Sequence, residues 1–294
     1  MYARFLRLNL LPKTCLIMLF GWHQAGGHGI SSLMRFLPAF LVVAVLWSGL
    51  YAYNHWTDVD DDARDPQYSC RPLVSGAISG QSAVAMVWTL VPAGIVAGFL
   101  HSPGLGIICT LMAASQIAYC APAFRLKHVP VLDVALVAVV NPSLRFAAGF
   151  MTVMGGPGFP PLSLATIVFW HLGTTFSQKL INRDRDLRLG WPGTGTVLPA
   201  GILRALSAGC ISLAVLSMAA LAFAGRSGPL PGWLGSLPRG TLGVLGFLGL
   251  LVPVYVRILK RPQSLSHEQF RVWAWRVFAL AALALGLLVL AYPR

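Results

Sequence analysis

The stretch Phe40–Asp65 reads FLVVAVLWSGLYAYNHWTDVDDDARD, an apolar run followed at once by a cluster of acidic side chains. The apolar part is long enough to enter a bilayer, which takes about 20 residues of helix. The chain has only nine Asp and Glu residues, and five of them lie between Asn54 and Asp65. Scarce carboxylates gathered at the end of a membrane-length segment indicate a function for that end.

The composition is that of a membrane protein. Hydrophobic residues make up 56% of the 294 residues, charged residues 11%, and the mean hydropathy is +0.70. A soluble domain carries roughly 25% charged residues, so this chain could not cover its surface with polar groups. Backbone polar groups in lipid must be hydrogen-bonded within the segment, which predicts an all-α polytopic membrane protein.

The net charge of +13 does not indicate nucleic-acid binding, because the basic residues lie in short gaps between apolar runs and form no stripe or tail. The five cysteines include no CxxC pair, so they predict neither a disulfide framework nor a zinc site. Nothing in the sequence indicates an obligate protein partner. The partner that the composition requires is the lipid bilayer.

Nine apolar segments have the length of membrane spans, near 8–25, 33–54, 81–101, 104–122, 131–154, 162–182, 197–224, 240–258 and 270–291. Acidic clusters follow the second and the sixth of these spans. This recurrence predicts one membrane domain over 1–294, built from two four-helix halves, roughly 1–128 and 129–262, and a ninth helix at 268–292.

Lysine and arginine are concentrated in the gaps that follow the even-numbered spans. The positive-inside rule therefore predicts that the N-terminus and both acidic clusters lie on the cytoplasmic side. We expect an integral protein of the bacterial inner membrane.

The acidic clusters have the spacing of a helix face. Asn54, Asp58 and Asp62 follow each other at intervals of four residues, so a continued helix places them on one side. Asn182 and Asp186 in the second cluster have the same interval. Three further acids of the first cluster need not take part: Asp60, Asp61 and Asp65.

This arrangement favours a magnesium site. Carboxylates at that spacing repel each other, and the repulsion grows near lipid unless cations are bound. Oxygen ligands without His or Cys suit Mg²⁺, which completes its shell with water and substrate phosphates. Two acidic helix ends flanked by Arg and Lys predict a diphosphate cradle above helices that hold an apolar tail. The alternative is a set of hydrated loop charges, against which the recurrence in both halves argues.

The motifs resemble those of the UbiA superfamily of membrane prenyltransferases over most of the chain. The first family motif, N/D-x-x-x-D-x-x-x-D, is filled by Asn54, Asp58 and Asp62, and the family's R/K-P-L-x-x-G follows as RPLVSG at 71–76. The segment YCAPAFRLKHVP at 119–130 is similar to the basic stretch after the fourth helix of the family.

The second family motif, D-x-x-x-D, is similar to INRDRDLRLG at 181–190, with Asn182 in place of the first aspartate. Family members often carry another acid one or two turns upstream, where this chain has TTFSQK at 174–179. Asp184 could substitute for the missing ligand, or a second magnesium ion could be held more weakly.

The resemblance implies about nine helices around a central cavity and transfer of a prenyl group from an isoprenyl diphosphate to a lipophilic, usually aromatic, acceptor. It implies these magnesium ligands: Asn54, Asp58, Asp62, Asn182, Asp184 and Asp186. It also implies these diphosphate-binding cations: Arg71, Arg125, Lys127 and Arg145. The residues expected to act in catalysis are Asp58, Asp62, Asp186 and Arg71.

Two other functions stay open. A terpene cyclase of the same fold would ionise the diphosphate and let the substrate's own chain capture the cation. A cation-coupled transporter would also have repeats and membrane acids, although its carboxylates should lie near mid-membrane. Arg145 inside a span faces either substrate or a partner such as Asp133. His55 and His171 are expected to have structural partners rather than acid–base roles.

Overall fold

The computed structural model describes residues 1–156 and 158–224, and every regular element in this part of the chain is helical. The α-helices are α1 Tyr2–Phe5, α2 Leu11–Gln24, α3 Gly29–Thr57, α4 Val59–Ala63, α5 Gly80–His101, α6 Pro103–Cys120, α7 Leu132–Ala135, α8 Asn141–Met154, α9 Pro161–Arg188, α10 Thr194–Val197 and α11 Ala200–Ala224. A π-helical turn, Leu136–Val140, joins α7 to α8.

Five helices are long and apolar enough to cross a membrane: Gly29–Thr57, Gly80–His101, Pro103–Cys120, Leu132–Met154 and Ala200–Leu221. They confirm the spans predicted at 33–54, 81–101, 104–122, 131–154 and 197–224. The described part of the chain therefore has the helices of an integral membrane protein.

The remaining predicted spans have different outcomes. Helix α2 falls within 8–25 but has only 14 residues, and α9 covers 162–182 with 28 residues of which the last third is strongly charged. Neither is among the five apolar spans. The spans at 240–258 and 270–291 and the ninth helix at 268–292 lie outside the described residues. The total of nine helices and the halves 1–128 and 129–262 stay predictions.

Serine hydroxyls begin helices α5 and α6. The Oγ of Ser79 accepts a hydrogen bond from Ser82 N at 3.1 Å, and the Oγ of Ser102 accepts one from Leu105 N at 3.2 Å. Such N-caps satisfy backbone N–H groups that have no partner within the helix. Because α5 ends at His101 and α6 begins at Pro103, the two helices pack as neighbours.

Helices α2 and α8 are in backbone contact through glycine. A Cβ on Gly21 would lie 2.1 Å from the carbonyl oxygen of Phe146, and a Cβ on Gly149 would lie 1.9 Å from that of Met18. Small residues permit this close approach, which gains van der Waals contact where lipid supplies no hydrophobic force. The contact fixes the N-terminal helix against the core that α8 shares with α9 and α11.

The first acidic cluster keeps its helical spacing across a break. Helix α3 ends at Thr57 and α4 begins at Val59. Asp58 N still donates to Asn54 O at 3.1 Å, and Asp62 N donates to Asp58 O at 2.8 Å. The i to i+4 pattern therefore continues through the break and places the three motif side chains one turn apart.

We expect Gly149→Ala to destabilise the fold, because the new methyl group would overlap the backbone of α2. Overpacking of this kind costs about 1–3 kcal/mol or more. The matched control is Gly209→Ala in α11, whose Cβ would meet nothing within 4 Å. Thermal unfolding in detergent should show a lower midpoint for Gly149→Ala alone; equal midpoints would contradict the proposed helix contact.

Candidate active site

A cavity of about 920 Å³ receives side chains from both polar motifs. Asn54, Asp58 and Asp62 line it from α3 and α4, and Asn182 and Asp186 line it from α9. Two clusters separated by more than 100 residues in the sequence therefore meet in one cavity. The structure does not bring Asp184 there: its side chain is exposed and lies outside the lining.

The carboxylates of the first motif are paired with cations. Asn54 Nδ2 donates to Asp58, and Arg71 forms an ion pair with Asp62. Lys127 Nζ lies 2.5 Å from Asp58 Oδ1 and 3.3 Å from Asp61 Oδ2. Burial raises the pKa of the Asp62 carboxyl, and the positive charge of Arg71 opposes this effect. The charge of Arg71 therefore favours the ionised form of Asp62.

Asp61 is a lining residue that the spacing argument left out. Its side chain is buried and forms ion pairs with Lys127 and with Arg125 Nη2, the latter at 3.2 Å. Asp61 follows Asp58 by three residues, so the helical repeat places it on the same side, and its carboxylate lines the cavity from α4. Asp60, next to it, is exposed, as the register predicted.

The predicted diphosphate-binding cations fall into two groups. Arg71 and Lys127 line the cavity. Arg125 contacts Asp61 from outside the lining, with 39% of its side chain exposed. Arg145 is buried away from the cavity, with its guanidinium carbon 3.8 Å from the ring centre of Trp47. It therefore neither faces the cavity nor reaches Asp133.

The second motif is tied to the first through an aromatic ring. Arg185 donates to Asp186 Oδ1 at 2.8 Å and to the Tyr68 hydroxyl at 2.7 Å. The guanidinium carbon of Arg71 lies 3.6 Å from the centre of the Tyr68 ring. Tyr68 thus holds one arginine by its ring face and another by its hydroxyl, in the manner of cation–π and charge-assisted contacts.

Asp133 organises the wall between α7 and α9. It is fully buried and accepts hydrogen bonds from Thr194 Oγ1 and from Thr194 N, the latter at 3.0 Å. Lys179 Nζ lies 2.5 Å from Asp133 Oδ2. The Thr194 hydroxyl also accepts from Val131 N at 2.7 Å. One carboxylate therefore joins α7, α9 and α10 and holds a lysine at the cavity wall.

Basic side chains outnumber acidic ones in the described lining. Six Lys and Arg side chains line the cavity: Arg4, Arg7, Arg71, Lys127, Lys179 and Arg185. Five carboxylates do so: Asp58, Asp61, Asp62, Asp133 and Asp186. The sequence argument missed four of these cations because they lie outside the family motifs or between motif positions. Arg7 donates to His55 Nε2 at 3.1 Å, which agrees with a structural role for that histidine.

The first motif fits a divalent cation better than the rest of the cavity does. Within residues 1–156 and 158–224, no group of three or more His, Cys, Asp or Glu side chains is already arranged around a metal position. The ammonium group of Lys127 nevertheless sits between two carboxylates at contact distance, so this point already favours positive charge. The carboxylate and amide oxygens there are the ligands that Mg²⁺ prefers.

Comparison with known proteins assigns the fold. Residues 14–276 match the model of the UbiA prenyltransferase family. The chain belongs to this family. A solved UbiA homologue from Archaeoglobus fulgidus, bound to DMAPP and Mg²⁺, superimposes with a TM-score of 0.75 at 17% identity over 99% of both chains. At that identity the likeness shows the fold.

Two curated relatives of this UbiA family member differ in how much of each chain is matched and in the reaction that they are named for. A decaprenyl-phosphate phosphoribosyltransferase from Corynebacterium glutamicum is 33% identical over 34% of this chain, and the match spans only 30% of that protein. A protoheme IX farnesyltransferase from Methylobacterium radiotolerans is 26% identical over 77% of this chain and 68% of that protein. The first name denotes transfer of a phosphoribosyl group, and the second denotes transfer of a farnesyl group.

We expect Asp133→Ala to destabilise the protein, because Lys179 and the backbone N–H of Thr194 would lose a fully buried partner. Removing one member of a buried ion pair costs about 3–5 kcal/mol. Asp60→Ala, which removes an exposed carboxylate, is the control. The midpoint of thermal unfolding in detergent should fall for Asp133→Ala only. An unchanged midpoint for that variant would contradict the role of Asp133 in joining α7, α9 and α10.

Proposed function

We propose that the protein is a magnesium-dependent intramembrane prenyltransferase. It ionises an isoprenyl diphosphate, transfers the prenyl group to a lipophilic, usually aromatic, acceptor and releases diphosphate. The observation that carries the proposal is the single cavity into which both motifs direct carboxylates and amides among six basic side chains. Such a mixture suits a dication together with a diphosphate, whose charges neither carboxylates nor cations alone would balance.

The first motif holds the metal in this proposal. Asn54, Asp58 and Asp62 supply oxygen ligands one helical turn apart, and a bound Mg²⁺ provides Lewis-acid stabilisation of the leaving diphosphate. Asp58 Oδ1 would serve either Lys127 or the ion, because the lysine nitrogen lies 2.5 Å from that oxygen. With Asp58 holding the ion, the ammonium group of Lys127 would be available to the phosphate oxygens, as Lys commonly is in phosphate sites.

The basic side chains assist departure of the diphosphate. Arg71 is oriented by Asp62 and by the ring face of Tyr68, so its guanidinium group is held in place before substrate binds. Pre-oriented charge stabilises a developing anion without reorganisation at the moment of reaction. Asp186 with Arg185 closes the opposite side of the site. The allylic cation left behind is protected from water by the apolar helices. The acceptor attacks it there, so that a bond to the acceptor replaces the bond to diphosphate, and the proton that the acceptor loses passes to the released diphosphate.

The proposal also includes a location. The protein lies in the bacterial inner membrane with its N-terminus and both motifs at the cytoplasmic side. The distribution of Lys and Arg in the gaps supports this orientation. The released diphosphate would then leave to the cytoplasm, and the apolar acceptor and the prenyl tail of the donor would enter from the bilayer.

A second candidate is transfer of a phosphoribosyl group to a polyprenyl phosphate. Two relatives that are 32–33% identical over about 100 residues are named decaprenyl-phosphate phosphoribosyltransferases. The cavity's many cations would also suit a donor with phosphate groups at two positions. In this reaction the diphosphate again leaves, but the cation is formed on a sugar.

We expect Asp58→Asn and Asp62→Asn each to lower diphosphate release about 100-fold or more, because each removes a charged metal ligand and stabilisation of the leaving group. Asp60→Asn and Asp184→Asn, which alter exposed carboxylates of the same clusters, should retain near wild-type rates. Release is measured on purified protein in lipid nanodiscs with magnesium. Full activity in either motif variant would refute the assigned site.

Product analysis separates the candidate reactions. Farnesyl diphosphate and an aromatic acceptor such as 4-hydroxybenzoate should give a prenylated acceptor. Hydrocarbon from farnesyl diphosphate alone would indicate a cyclase. Product from phosphoribosyl diphosphate with farnesyl phosphate would establish the second candidate. Ion flux in liposomes without diphosphate release from any donor would replace both by a transporter.

A further inference from the structure

The two sides of the cavity differ in charge. The side formed by α3 and α4 directs three carboxylates inward: Asp58, Asp61 and Asp62. The side formed by α9 presents Lys179, Asn182, Arg185 and Asp186, with only one carboxylate among them. Positions 179, 182 and 186 follow the helical repeat, so an amide, a lysine and a carboxylate share one face of α9.

The single carboxylate of the α9 side already has a partner. Both Nε and Nη2 of Arg185 donate to Asp186 Oδ1, at 3.1 and 2.8 Å. Asn182 contributes a neutral oxygen only. A divalent cation placed here would face two basic side chains. Of the two carboxylates within reach, Asp186 already accepts hydrogen bonds at Oδ1, and both oxygens of Asp133 are bound by Thr194 or Lys179. The α9 side therefore does not fit a metal ion.

Lys179 is positioned to act in place of that ion. Its ammonium group has three N–H donors, and its contact with Asp133 Oδ2 at 2.5 Å uses one of them. Asp133 cannot move, because it is fully buried and is bound by Thr194 through both backbone and side chain. Lys179, with 20% of its side chain exposed, lines the cavity and keeps donors for a ligand.

We propose that this site takes one magnesium ion, at Asn54, Asp58 and Asp62, and that Lys179 binds the phosphate oxygens on the α9 side in place of a second ion. Asp133 is the positioning residue that holds Lys179. The inference rests on the proposed function, since it assigns how the same cavity holds the diphosphate. It changes the expected role of Asn182 and Asp186 from metal ligation to lining.

Counting ions tests the first part. Full-length protein in nanodiscs is dialysed to equilibrium against Mn²⁺ and radiolabelled methylenediphosphonate, and both bound species are counted per chain. We expect one Mn²⁺ and one diphosphonate. Two Mn²⁺ ions would overturn the inference and leave the proposed function intact. No bound Mn²⁺ and no bound diphosphonate would overturn the proposed function itself.

Variants of the lysine test the second part. Lys179→Met should raise the KM for the diphosphate donor at least tenfold without lowering the Mn²⁺ count, and Lys179→Arg should restore the KM to within about threefold. Because Lys179→Met leaves Asp133 unpaired, Lys179→Met with Asp133→Asn removes both charges and should give the same rise in KM. Arg188→Met, at an exposed position of the same helix, is the control.

These variants give a clear answer in either direction. A donor KM unchanged in both the single and the double lysine variant would overturn the role of Lys179, as would an equal rise in the Arg188→Met control. A fall in the Mn²⁺ count to zero in Lys179→Met would show that the lysine acts through the metal site, which also contradicts direct binding of phosphate.

Discussion

Each of the five carboxylates that line the described cavity is paired with a lysine or an arginine, and the site depends on this compensation. An ionised carboxylate near lipid is costly unless a positive charge lies within contact distance. The pairs also join distant parts of the chain. Lys127 connects the segment after α6 to the end of α3, and Lys179 connects α9 to α7. The same ion pairs therefore determine both the shape of the cavity and its balance of charge.

The compensation explains how a site without substrate can be stable and still accept a dication and a diphosphate. Asp58 can pair with Lys127 or would hold a dication, and the ammonium group of Lys127 lies in the cavity that would also receive the diphosphate. A dication and a diphosphate bound together would add charges that largely cancel. On the α9 side no such exchange is available, because Lys179 is held by a fully buried Asp133. The two sides of the cavity therefore differ because Lys127 can be replaced at its carboxylate, whereas Lys179 cannot.

Much of the fold and the first motif could be predicted from the sequence. Apolar length fixed the five confirmed spans, and an interval of four residues placed Asn54, Asp58 and Asp62 on one face because a helix repeats every 3.6 residues. Arg71 followed from a motif close in sequence. The interval of four did not select Asp61, which lies three residues after Asp58, and its pairing with Lys127 and Arg125 depends on how the segment after α6 packs. The position of Arg145 inside a span predicted either a substrate contact or a partner such as Asp133, and its guanidinium lies over the ring of Trp47.

The sequence by itself determined that the chain is an α-helical membrane protein with scarce carboxylates at helix ends, because hydrophobic length and helical periodicity are local properties. It also determined the UbiA motifs. Only the tertiary structure decided which charges meet: that Lys179 pairs with Asp133 across α7 and α9, and that Tyr68 joins two arginines. These contacts link residues up to 117 positions apart, and a pairing at that distance depends on how helices pack, which no local pattern records.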